Sequence, residues 1–169
     1  MSEDTIVNKV QQNTKLVTID LQKFHDATPI EELDIKQFLF QELLLKEKDF
    51  RQQIKDFDWS QFEGKYLCVY CSTDAIIAPW AWMLITAQAS KYAKEVFKGR
   101  KDAFQYQLYQ RALDDVDWDQ YQDKFVLLKG CGDVHVPDSI YLHATNKLMK
   151  RAKKIMYGEA CSNVPVWRG

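Results

Sequence analysis

The chain has 169 residues, a formal net charge of −1, 46% hydrophobic and 13% aromatic residues. That length suits one domain, residues 1–169, with enough apolar mass for a substantial core, and a charge so near zero removes any global pull toward nucleic acid or an anionic membrane. No run reaches the ~20 apolar residues of a membrane span, and the acidic start Met1–Thr5 lacks the apolar stretch of a signal peptide, so a cytoplasmic protein is expected.

In chain order, residues 1–13 are polar. Lys15–Leu21 alternates, with Val17, Ile19 and Leu21 on one side, which predicts a strand. His25–Glu32, containing Pro29, reads as loop. Asp34 is placed to cap a helix over 34–40. The run Leu43-Leu44-Leu45 has no readable period. Phe50, Ile54 and Phe57 recur at helical spacing and predict a helix over 47–57. Lys65–Cys71, rich in aromatic and β-branched residues, predicts a strand. Ser72–Ala78 is then a loop, and Pro79 opens a helix, where its missing N–H costs little. Trp80, Met83, Leu84 and Ala87 are its expected buried stripe and Gly99 its stop. A helix over 101–114, a strand over 124–129, a loop over 130–135 and a helix from Pro137 follow. The last carries Tyr141, Ala144, Leu148, Ala152 and Ile155 as its stripe. The tail beyond Gly158 shows no period.

Residues 56–99 and 115–158 align without gaps at an offset of 59, with eleven identities. Asp56, Asp58, Trp59, Gln61 and Lys65 match Asp115, Asp117, Trp118, Gln120 and Lys124, and Asp74 matches Asp133. A fixed period marks one supersecondary unit used more than once. The expected fold is therefore α/β: a largely parallel sheet with flanking helices, built around an internal strand–loop–helix duplication. Both repeated strands would end on one edge, where open α/β sheets bind ligands.

Four cysteines in a cytosolic chain point to core thiols, metal ligands or reactive thiols rather than structural disulfides. Cys71 ends the first repeated strand and, with one residue of slip, Cys131 matches it at the end of the second. Each precedes a carboxylate (Asp74, Asp133) and a helix start, whose partial positive charge favours thiolate. Cys161 comes soon after the second helix. Cys71, Cys131 and Cys161 would give a soft metal, zinc or iron, three thiolates, with Asp133, Asp74 or His135 as the fourth ligand or an open position. An iron–sulfur cluster is the lesser expectation. Cys68 and Cys71 have the C-x-x-C form, but three residues apart in a strand they face opposite ways, which makes Cys68 a core residue.

Two other readings use the same atoms. A thiolate at Cys131 or Cys71 would serve sulfur transfer. Alternatively the thiols pack as small hydrophobes in a structural or interaction protein. No catalytic triad and no phosphate loop can be assigned. The basic run Lys147, Lys150, Arg151, Lys153, Lys154 fits a solvated helix end better than a nucleic-acid patch. Trp59 and Trp118 repeat with the unit and read as anchors of its turn. Trp80 and Trp82 straddle two helix faces and are expected to pack in the core, the alternative being that one is exposed near the cysteine loop as a lid or partner contact.

The stretches Asp58–Tyr66, Cys71–Trp82, Lys129–Asp133 and Met156–Pro165, with Lys46–Arg51, together resemble a bacterial family known as domain of unknown function 2480, over nearly the whole chain. The resemblance implies no reaction. Genes of that family often neighbour iron–sulfur cluster assembly genes, which implies assembly proteins as partners and agrees with thiolate chemistry.

Overall fold

The structure, a computed structural model, describes residues 15–130 and 132–169. Its strands are β1 (Leu16–Asp20), β2 (Ile30–Asp34), β3 (Tyr66–Tyr70), β4 (Glu95–Lys98), β5 (Phe125–Lys129), β6 (Lys154–Glu159) and β7 (Ser162–Arg168). Its α-helices are α1 (Glu47–Asp56), α2 (Pro79–Ala89), α3 (Lys101–Asp114) and α4 (Asp138–Leu148). Short 3-10 turns cover Leu21–Phe24, Ile35–Phe38, Ser60–Phe62 and Trp118–Tyr121. Cα packing divides the chain into two compact units. Unit 1 holds the residues up to Asp26 and from Tyr106 to Gly169; unit 2 holds Ala27–Gln105.

Unit 2 is a three-stranded parallel sheet in the order β2-β3-β4, with Ile30 opposite Tyr66 and Tyr66 opposite Glu95. Leu33, Leu67 and Val69 share one face, and Phe50, Ile54, Ala81, Ile85 and Ala89 complete the core there. Unit 1 is a four-stranded sheet in the order β1-β5-β6-β7, parallel except for β7, which folds back antiparallel on β6. Ile19, Val126, Leu128 and Ile155 pack with Tyr109, Leu113, Ile140, Ala144 and Leu148. The chain is thus α/β, with mostly parallel sheets flanked by four helices.

Internally the two units agree element by element. Leu16 pairs with Phe125 and Phe125 with Lys154, which is the register of unit 2 shifted by the offset of 59, with β1 standing for β2. The Trp59 Nε1–H donates to the Ile54 carbonyl at 2.8 Å and the Trp118 Nε1–H to the Leu113 carbonyl at 2.8 Å. Gln61 donates to the Asp58 carbonyl at 2.5 Å and Gln120 to the Asp117 carbonyl at 2.6 Å. These bonds hold the helix-to-strand turn, the anchoring role expected of the tryptophans.

Several readings change. The loop expected over His25–Glu32 contains the start of β2, whose Glu31 and Glu32, exposed on opposite faces, disguise its alternation. Asp34 caps a 3-10 turn rather than a longer helix. Helix α2 ends at Ala89, ten residues before the expected stop; Gly99 instead follows the unforeseen strand β4, with φ +146°. α2 buries Ala81, Ile85 and Ala89 and leaves Met83 70% exposed. The helix is apolar all round, so its sequence names no inner face, and the small alanines permit the closest approach. α4 buries Ile140, Ala144 and Leu148, while Ala152 and Ile155 lie beyond its end. The tail forms β6 and β7. Residues 1–13, read as a polar start, lie outside the described residues.

Candidate functional site

Parallel strands send every chain exit to one edge of their sheet. In unit 2 that edge carries the loop after β3. Asp34, at the end of neighbouring β2, accepts the Lys36 N–H at 3.1 Å and the Ser72 N–H at 3.2 Å. Burial pushes its carboxyl up, but the Ser72 side chain and the N–H groups of Lys36 and Ser72 outweigh that and hold it below the ordinary 3.8. The Thr73 hydroxyl donates to the Glu42 carbonyl at 2.8 Å and lies 3.3 Å from the Cys71 Sγ. The loop is thereby pinned at two points, with Cys71 half-buried and Asp74 exposed.

In unit 1 the same position is held by a different device. Gln22, in the 3-10 turn after β1, donates its side-chain amide to the carbonyls of Gly130 at 3.3 Å and Val134 at 3.0 Å. Gly130 is buried, and a Cβ there would collide with the Tyr141 hydroxyl. Cys131 lies outside the described residues. Asp133 and His135 are exposed on this loop, and among the described residues neither carries a hydrogen bond or ion pair. Next door, β6 and β7 are joined by the two-residue turn Ala160-Cys161, so Cys161 is exposed at the hairpin tip. Lys129 Nζ, at the end of β5, meets the Glu159 carboxylate, at the end of β6, at 3.0 Å.

Asp133, His135 and Cys161 thus belong to the strand-exit edge of unit 1, while Cys71 and Asp74 belong to unit 2. Among the described residues no three His, Cys, Asp or Glu side chains group closely enough to hold a metal ion. Cys68 is fully buried, as its strand position implied, and burial, with Glu32 adding to it, pushes its thiol up to about 11. The basic run is partly neutralised: Lys147 lies 2.9 Å from the Asp114 carboxylate, and Arg151 pairs with Asp119. His143 is half-buried, with Nε2 3.5 Å from the same Asp114.

The residues that shape the loops, Asp34 and Gln22, escaped the sequence reading. Their signal was present as a second, shorter repeat: Asp20-Leu-Gln-Lys-Phe24 against Asp34-Ile-Lys-Gln-Phe38. Trp80 and Trp82 both pack, partly buried, against the core of unit 2, and Trp82 also stands by the cysteine loop. It lines a cavity of about 430 Å³ with Cys71 and Lys98.

Fold and edge together define an α/β protein of two parallel-sheet units, with thiol-bearing loops at the strand exits. The chain belongs to the family described as "Protein of unknown function (DUF2480)", whose family model matches residues 4–169. No curated protein and no solved structure matches it. Among the described residues no helix is long and apolar enough to cross a membrane.

Proposed function

We propose that the strand-exit edge of unit 1 is a metal site, with Cys131 and Cys161 as thiolate ligands and Asp133 or His135 beside them. The observation that carries this reading is the Lys129–Glu159 ion pair at 3.0 Å. It ties together the ends of two adjacent parallel strands, and each cysteine follows two residues after one member of the pair. The donor set fits zinc or iron, which take thiolate with imidazole or carboxylate. Asp133, His135 and Cys161 are exposed and uncommitted among the described residues, so coordination would break no existing bond. The task is accessory to iron–sulfur cluster assembly in the cytoplasm, by holding metal or a cluster or by docking an assembly protein. That part rests on the family's gene neighbourhood and on the affinity of thiolates for such clusters.

Metal analysis of protein purified anaerobically under reducing conditions tests it. Near-stoichiometric zinc or iron, lost in Cys131→Ser and Cys161→Ser and kept in Cys71→Ser, is the expected result. Loss in Cys71→Ser as well would overturn the assignment of the site to Cys131 and Cys161 alone. Metal well below one equivalent in the wild type overturns the site.

A further inference from the structure

Unit 2 has an opening of its own at its strand-exit edge. A cavity of about 430 Å³ lies between the ends of β3 and β4, the loop after β3, and α2. That volume is within the range of small-ligand sites, and the edge is where open α/β sheets bind them.

Its lining is chemically one-sided. Tyr70 and Trp82 give aromatic walls, Cys71 a half-buried thiol, and Lys98, among the described residues, the only ionic group; none of the described Asp or Glu residues lines it. The Lys98 ammonium sits 5.1 Å from the Trp82 ring centroid and, among the described residues, has no carboxylate partner. The Arg100 guanidinium, outside the lining and 3.5 Å from the Tyr70 ring centroid, is paired with Glu32 at 3.8 Å, so the cavity's charge rests on Lys98. The nearby carboxylate of Asp34 is engaged by the N–H groups of Lys36 and Ser72. A cation held over an indole by the ring quadrupole keeps its charge available to an anion approaching from the open side.

We propose that this cavity binds small organic anions with an aromatic or apolar body, and that Cys71 exchanges with a disulfide carried by such an anion. Lys98 takes the negative charge, while Tyr70 and Trp82 take the body. In the covalent step the Cys71 thiol gives its proton to solvent and its sulfur attacks the ligand's disulfide. One sulfur–sulfur bond breaks, a mixed disulfide forms on Cys71, and one ligand thiolate leaves. Neither Lys98 nor Cys71 belongs to the metal set of unit 1, so the two readings stand or fall separately.

The test compares two disulfide probes, the dianionic dithiobis-nitrobenzoate and the uncharged dithiodipyridine. The protein is the full chain carrying Cys131→Ser and Cys161→Ser. This leaves Cys71 as the reporter, because Cys68 is fully buried with its thiol pushed up to about 11. Rates are referred to those of N-acetylcysteine with the same reagents. The anionic probe is expected to react with saturation and a relative preference of roughly fivefold or more, the scale of one favourable charge contact in water. Lys98→Gln should abolish that preference and leave the uncharged probe's rate unchanged, and Lys98→Arg should restore it. Benzoate should slow the anionic probe alone. A linear, unsaturating rate with no preference overturns the proposal, as does a Lys98→Gln variant that keeps the preference or slows both probes equally.

Discussion

Units 1 and 2 share strand register, turn chemistry and helix order, yet they differ in how they hold the loop after the central strand. In unit 2 a carboxylate, Asp34, accepts backbone N–H groups of that loop. In unit 1 an amide, Gln22, donates to its carbonyls. The offset of 59 sets Cys71 against Gly130, so the thiol of one loop corresponds to a bare backbone in the other. The facing helices differ at this point: Trp82 of α2 lines a cavity with Cys71, whereas the Tyr141 hydroxyl of α4 stands where a Cβ on Gly130 would go. The edges differ as well. Unit 2 ends on the four-residue β4, while unit 1 adds β7, an exposed edge strand that carries Pro165. Proline lacks the N–H that a further strand would need, which suits an edge position. A shared framework fixes where the loops emerge, and single side chains packed beneath them decide what each can do.

The comparison is sharpest at the paired tryptophans. Trp59→Ala and Trp118→Ala should each cost ~3–5 kcal/mol, since both remove a buried ring and orphan a carbonyl. Urea unfolding followed by circular dichroism measures the loss. The single-domain expectation adds that either variant moves one common transition. A variant that splits the curve in two would sever the units, and very unequal costs would break their equivalence.

Next in size is the exchange of the loop residues. Gly130→Cys should cost ~1–3 kcal/mol, because the new Cβ meets the Tyr141 hydroxyl in a packed site. Cys71→Ala, beside a cavity, should cost less than ~1 kcal/mol apart from the lost contact to Thr73. Equal costs would mean that the Tyr141 hydroxyl does not distinguish the two loops.

Asp34→Asn should cost ~1 kcal/mol near neutral pH, the scale of a lost cap. Because its carboxyl lies below the ordinary 3.8 when folded, its contribution is fully present above that value. It fades as pH falls through the lower folded value. The difference between wild type and Asp34→Asn should therefore shrink on acidification, read by urea titrations at several pH values. A difference independent of pH would place the cost in packing rather than in charge.

The smallest effect concerns the turn before each central strand. Gly64 adopts φ +69° and its counterpart Asp123 φ +59°. A left-handed backbone costs an L-residue roughly 1–2 kcal/mol, less for Asp, so Asp123→Gly should raise stability by up to ~1 kcal/mol. Gly64→Ala should lower it by a similar amount. Thermal midpoints compare the two, and a stabilising Gly64→Ala would undo the parallel.

Much of this was legible in the residues. Period and punctuation located β1, β3, β5 and helices α1 to α4, because a strand that alternates and a helix opened by proline advertise themselves locally. The strands β2, β4, β6 and β7 did not. β2 hides behind Glu31 and Glu32, and β4 and β6 are short runs after a helix whose stop was misread. The inner face of α2 was also invisible, since a helix apolar on every side carries no moment. Cys68 was readable as core from strand parity alone.

What the sequence by itself determined was the repeated local chemistry: the Asp-Trp-x-Gln turn, the strand–loop–helix order and the placing of Cys71 at the end of a repeated strand. These depend on neighbours a few residues apart, and such interactions repeat whenever the residues do. Only the tertiary structure decided that β1 completes the sheet of the later copy while β2 completes that of the earlier one. Only it put Cys71 with Trp82 and Lys98 around one cavity, and set Cys161 on the edge that β5 and β6 share. Those pairings join residues far apart in the chain. They are selected by which apolar faces bury one another, and no local pattern encodes that choice.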